Sequence, residues 1–146
     1  MTVMDIGCGM GLFSLAMARM VGENGLAIAV DLQQRMLDVL WRRAQRAGMG
    51  DRIQLHKCEQ DYLGVDAQAD FTLAFMMIHE VPDARKLLTE IHSCLKSGGR
   101  FLVAEPRIHV PGWAFAATVA TANEVGFQET DQPWVRWCRA VVFEKA

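Results

Sequence analysis

The run Val3-Met4-Asp5-Ile6-Gly7-Cys8-Gly9-Met10-Gly11 decides how the rest of the chain is read. A short apolar segment with one acidic residue inside it meets three glycines at alternate positions, and the apolar segment Leu12 to Val21 follows at once. That order predicts a strand, a tight turn and the start of a helix. Glycine reaches backbone dihedrals closed to other residues and brings no side chain to hold a ligand away. The first turn of a helix offers unpaired N–H groups and a partial positive charge. At the C-terminal end of a strand in an open α/β sheet, such a turn is where ligands bind.

The spacing distinguishes this turn from the dinucleotide fingerprint G-x-G-x-x-G, whose last step is three residues. Here Gly7, Gly9 and Gly11 are two apart, and Asp5 precedes Gly7 by two. Taken alone, the turn also fits an ordinary strand-to-helix connection, so the remaining segments carry the decision.

Working outward, Leu26 to Val30 is a continuous apolar run ending at Asp31, as in a strand buried on both faces. From Gln33 to Ala47, Met36, Leu37, Leu40 and Ala44 recur at helical spacing. Ile53 to Lys57 alternates, which predicts a third strand. Asp70 to Ile78 reads as a fourth, central strand. Pro82 and Asp83 open a helix, with Asp83 as N-cap, that Gly98 and Gly99 close. Arg100 to Glu105 is a fifth strand, Gly112 to Val125 a helix. Phe127 to Asp131 and Trp137 to Phe143 have no helix between them and are expected to pair as an antiparallel hairpin. Alternating strands and helices imply right-handed crossovers and a parallel sheet covered on both faces. The expectation is one α/β domain over residues 1–146: a doubly wound, mostly parallel, three-layer sandwich ending in an antiparallel hairpin.

Composition narrows the function. The 146 residues are 51% hydrophobic and 22% charged, enough for a packed core. A net charge of −2 gives no electrostatic footprint for nucleic acid. No apolar run approaches a membrane span, and no signal peptide precedes the glycine turn. Cys8, Cys58, Cys94 and Cys138 are scattered without a Cys-x-x-Cys pair, which predicts free thiols, no metal site and a cytoplasmic setting.

Asp31 lies 20 residues beyond Gly11. If the first two strands are neighbours, their C-terminal ends place Asp31 beside the glycine turn. A carboxylate there can accept two hydrogen bonds from a ribose diol, each worth roughly 1.5–3 kcal/mol. Asp31 also opens the next helix, and the two roles are compatible.

These residues resemble the class I S-adenosylmethionine-dependent methyltransferases. The family signature acidic-x-Gly-x-Gly-x-Gly corresponds to Asp5-Ile6-Gly7-Cys8-Gly9-Met10-Gly11, and the acidic residue after the second strand to Asp31. Glu59, in Lys57-Cys58-Glu59-Gln60, matches the acidic residue near the adenine amine. Asp70-Phe71-Thr72-Leu73 through Met76-Met77-Ile78-His79-Glu80-Val81-Pro82-Asp83 resembles the fourth-strand motif. Leu95-Lys96-Ser97-Gly98-Gly99 through Glu105-Pro106 resembles the fifth. The resemblance runs in order over nearly the whole chain. It implies a Rossmann-like sheet with a reversed seventh strand beside the fifth, S-adenosyl-L-methionine as cofactor, and methyl transfer to a small-molecule acceptor. It also implies helices before the first strand. This chain reaches its glycine turn by residue 7, so the expectation is a minimal core or a coding sequence that begins upstream, with a partner subunit, such as a second copy in a homodimer, supplying the cover.

Methyl transfer needs binding and orientation more than a dedicated nucleophile. Alignment alone supplies about 7–11 kcal/mol of barrier lowering. Gly7, Cys8, Gly9 and Gly11 are expected to cradle the cofactor, with Asp5 orienting its amino group directly or through water; Leu32 and Met36 either sandwich the adenine or pack in the core, and Met76 is a further cofactor-side residue. His79 and Glu80, at the end of the fourth strand, are the best candidates to face the acceptor, with His79 taking its proton; the alternatives are a histidine packed in the turn before Pro82 and a glutamate that caps a helix. His109 is a further candidate. His56 and His92 read as surface positions. Trp113, Trp134 and Trp137 line an acceptor pocket or belong to a core or interface. Two alternatives remain open: a nicotinamide-dependent oxidoreductase, which shares the acidic residue after the second strand, and a cofactor-binding core that is inactive alone.

Overall fold

The first strand, β1 (Thr2–Ile6), is an interior strand of a seven-stranded sheet in the computed structural model, which describes residues 1–146. In chain order it is followed by α1 (Leu12–Val21), β2 (Leu26–Asp31), α2 (Gln34–Arg46), β3 (Ile53–Lys57) and β4 (Ala69–Phe75). Then come α3 (Ala84–Cys94), β5 (Leu95–Pro106), α4 (Gly112–Val125), β6 (Phe127–Asp131) and β7 (Cys138–Lys145). The sheet order is β3-β2-β1-β4-β5-β7-β6. The first five strands run parallel. β7 runs against both β5 and β6, so the terminal hairpin inserts its second strand beside β5 as expected.

The side-chain period of two explains the three layers. Along β2, Ala27 and Ala29 join Leu15, Ala18, Leu37 and Leu40 beneath α1 and α2. Ile28 and Val30 point the other way, joining Leu88, Ile91, Phe101 and Phe143 beneath α3 and α4. Both faces of the strand are therefore dry, which is why its sequence is continuously apolar. No helix is long and apolar enough to cross a membrane.

Four local expectations are corrected. The fourth strand stops at Phe75 instead of Ile78; Met76 takes a positive φ of 57°, and Ile78–Glu80 form one 3-10 turn. The third helix stops at Cys94, not at Gly98 and Gly99. Leu95, fully buried, already belongs to β5, and Gly98 (φ 75°) takes up the register shift before Arg100 pairs with Phe71. His56 and His92 are half-buried: His56 Nε2 lies 2.8 Å from the Leu63 carbonyl oxygen, and His92 packs edge-on against Phe127. Trp113, Trp134 and Trp137 are at least 70% exposed and are not core residues. Asp83 does cap α3, accepting from Lys86 N at 3.0 Å.

Gly11 fixes how α1 and α2 meet. Its φ is 91°, and a Cβ there would sit 2.5 Å from Leu40 Cγ. Gly9 also has positive φ (54°), yet nothing lies within 4 Å of its missing Cβ. Gly11→Ala should therefore cost about 3 kcal/mol or more, combining backbone strain with overpacking, whereas Gly9→Ala should cost only about 1–2 kcal/mol. Urea denaturation of the two variants measures the difference.

Candidate active site

The glycine turn is tied to the end of β2 by backbone bonds. Gly7 N and Cys8 N both donate to the Val30 carbonyl oxygen, at 2.8 and 3.0 Å. One residue on, Asp31 Oδ2 accepts from Gly9 N at 2.9 Å while Oδ1 accepts from Gln33 N at 2.8 Å. The side chain thus bridges the turn and the start of α2, whose N-cap is Gln33. A carboxylate has about four acceptor positions, so two remain for a ligand.

Asp31 and Gly7 face a common cavity of about 290 Å³ at the C-terminal ends of the parallel strands. Leu32, Glu59, Met76 and Glu80 line it as well. Gly7 is exposed on its rim, and a Cβ there would come within 3.1 Å of Met77. Met76 donates its N–H to the Ala104 carbonyl oxygen at 2.7 Å, which anchors the segment after β4 to β5. Tyr62 and Lys86, not singled out from sequence, complete the opposite wall.

Asp5, Cys8, Gly9, Gly11 and Met36 are not among the residues that line the cavity. Asp5 is 2% exposed and accepts from Ser14 Oγ at 2.6 Å, bracing β1 against α1. Burial pushes its carboxyl from the ordinary 3.8 up to about 6, and the neighbouring charge of Asp31 adds to the rise. Cys8 is buried in the layer beneath α1, and desolvation raises its thiol far above the usual range. Gly9 serves through its N–H to Asp31, and Gly11 through its contact with Leu40. Met36 is half-buried on α2 and lies outside the cavity lining.

His79 also stands outside that lining, in a group the sequence reading did not assemble. Glu105, at the end of β5, is 1% exposed. Its Oε1 accepts from Ile78 N at 3.0 Å, and its Oε2 from His79 N at 3.3 Å. Oε2 also meets His79 Nδ1 at 2.5 Å. Where the carboxylate is ionised it only accepts, so Nδ1 is the donor, and in the neutral imidazole Nε2 then keeps a lone pair. The His109 ring stacks on His79 at 6.1 Å, and Glu80 Oε1 lies 3.8 Å from Nε2. The signal for Glu105 was an ionisable residue at the end of the apolar run Phe101 to Ala104. Its partner, 26 residues away, appears only once β4 and β5 pair.

Residues 3–99 match the family described as a methyltransferase domain. Among curated proteins, the chain is 31% identical over 103 residues to the demethylmenaquinone methyltransferase of Lactobacillus johnsonii, covering 70% of this chain and 42% of that protein. It is also 31% identical over 105 residues to the protein-L-isoaspartate O-methyltransferase of Thermotoga maritima, covering 70% and 31%. The chain thus spans less than half the length of these relatives. A crystal structure of a SAM dependent methyltransferase from Aquifex aeolicus superposes with a TM-score of 0.87 at 23% identity, over 100% of this chain and 82% of that one.

The raised carboxyl of Asp5 gives a pH signature. Its folded value lies above the unfolded one, so the folded state binds the extra proton between roughly pH 4 and 6. Stability is then highest below that window and falls as pH rises through it. Asp5→Asn, which cannot ionise, should remove this loss. The stability of the variant relative to the parent should increase by about 3 kcal/mol between pH 3.5 and 7. Urea midpoints across that range provide the measurement.

Proposed function

The chain belongs to the class I S-adenosylmethionine-dependent methyltransferase family, and we propose that it transfers the methyl group to a small hydroxylated aromatic acceptor. The nicotinamide alternative is set aside by the family. The observation that carries the reading is the meeting of Gly7 and Asp31 in one cavity at the strand ends.

The residues there fit S-adenosylmethionine. Gly7 leaves the backbone open to close approach, Asp31 has unused acceptor positions for a ribose diol, and Leu32 and Met76 offer apolar surface to an adenine. Glu59 stands on the same wall, where it would accept from the adenine amine. When bound, the cofactor supplies an electrophilic methyl group on a sulfonium.

The chain's own part in the transfer is orientation and proton removal. Nε2 of His79 takes the proton of an acceptor hydroxyl, which raises the nucleophilicity of the oxygen and of the ring carbons beside it. Glu105 holds the ring in the tautomer that exposes Nε2 and balances the positive charge that appears on it. The buried carboxylate is a positioning group, fixed in turn by two backbone N–H groups. Support for an aromatic acceptor comes from the relatives named demethylmenaquinone methyltransferase. A second reading is favoured by the partial coverage of the relatives: a donor-binding core whose transfer step needs a cover from further chain or a partner.

Calorimetry with S-adenosylhomocysteine should show binding, and Asp31→Ala should weaken it about tenfold or more. Affinity unchanged by that substitution would overturn the assigned cavity. Transfer of a labelled methyl group to a 1,4-naphthoquinol should fall about 100-fold or more in His79→Gln, with S-adenosylhomocysteine affinity retained. Glu105→Gln should lower kcat less and alter its pH profile. Binding without any transfer supports the core reading, and transfer to an isoaspartyl peptide alone replaces the aromatic acceptor.

A further inference from the structure

A second cavity, of about 460 Å³, lies between α4 and the connection from β6 to β7, and the cofactor reading leaves it without a role. Its walls combine apolar surface from Phe115, Val119 and Trp134 with the two arginines Arg107 and Arg139. We propose that this cavity binds an organic anion: a carboxylate carried on an aromatic or aliphatic body, with the carboxylate held by Arg107 and Arg139.

The placement of the arginines supports this. Arg139 pairs with Glu105 across the β5–β7 ladder, and Arg107 follows β5 by one residue. Directly paired and next-but-one residues share a face of a sheet, so both guanidinium groups leave on the α4 side. Each is fixed by its Nε: that of Arg107 donates to the Cys138 carbonyl oxygen at 3.1 Å, and that of Arg139 to the Val110 carbonyl oxygen at 3.2 Å. With Nε engaged, the terminal nitrogens remain as donors. The arginines in ion pairs are Arg85 and Arg100; no carboxylate lies within ion-pair distance of either cavity arginine, and Glu105, on the same face, spends its oxygens on Ile78 and His79. Glu129 is the one acidic residue on the lining, and its Oε1 is occupied by the Gln132 side chain. The cavity therefore carries two positive groups against one negative.

The backbone borders the cavity as well, with the Cys138 N–H already given to the Val135 carbonyl oxygen. β6 pairs with β7 only from Val142 to Lys145. Cys138 to Val141 pair with β5 on one side and have no strand partner on the β6 side, and these residues line the cavity. An open edge presents N–H and C=O groups to whatever lies beside it. An apolar-walled cleft with a few convergent donors is the usual form of a small-molecule site, and paired guanidinium groups suit a carboxylate.

The test uses 2-naphthoate and its neutral counterpart 2-naphthamide, titrated into the full chain by calorimetry with and without saturating S-adenosylhomocysteine. The acid is expected to bind at least about tenfold more tightly than the amide, with or without S-adenosylhomocysteine. Arg107→Gln and Arg139→Gln should each bring the acid down toward the amide, while S-adenosylhomocysteine affinity stays unchanged. Arg107 is exposed, so Arg107→Gln stands alone if Arg139→Gln fails to fold. Equal binding of acid and amide, indifference to both arginine substitutions, or displacement of the acid by S-adenosylhomocysteine would each overturn the proposal. Since the cofactor is titrated separately, a failure here is distinct from a failure of the methyltransferase reading.

Discussion

The site depends first on the register of β1 against β2. Ile6 lies opposite Val30, so the glycine turn and Asp31 begin at the same height on neighbouring strands. The Val30 carbonyl then receives two N–H groups of the turn, and Asp31 receives a third from Gly9. A one-residue slip would reverse the face of every side chain on the strand, and the two dry faces of β2 forbid it. The hydrophobic packing that builds the sheet thus sets the position of a polar site at its edge.

A second edge-of-sheet contact organises the other half of the site. Glu105 ends a strand whose preceding residues are buried, and its carboxylate is removed from water. Three donors, two of them backbone N–H groups of the turn after β4, compensate that burial. Uncompensated, a buried carboxylate would be strongly destabilising. The turn from Met76 to Glu80 therefore has its shape because a charge from the adjacent strand must be satisfied, and His79 is placed as a result. At Asp5 the Ser14 hydroxyl does not offset burial, and the carboxyl holds a proton to higher pH.

Much of this was legible in the chain. The glycine spacing and Asp31 located the turn, and the apolar runs gave all seven strands within a few residues. The hairpin was foreseen because no helical segment separates its two runs. What escaped were facts of orientation. Sequence spacing could not tell that Cys8 and Asp5 turn inward under α1, that Met36 lies off the cavity while Met76 lies on it, or that Gly11 packs against Leu40. Ile78 continued an apolar run, so the break at Met76, driven by Glu105, had no local signal. Glu105 itself was visible as a charge at an apolar strand end, but its partner was set by pairing between β4 and β5.

The double grip of Asp31 on Gly9 and Gln33 has a consequence for how a ligand enters. Both oxygens are already anchored by main-chain donors, so the carboxylate is aimed before anything arrives. Little conformational freedom is then left to freeze on association, and affinity is not spent on ordering the pocket floor. On the proposed reading, a donor molecule would therefore meet an Asp31 carboxylate already set in position by Gly9 and Gln33.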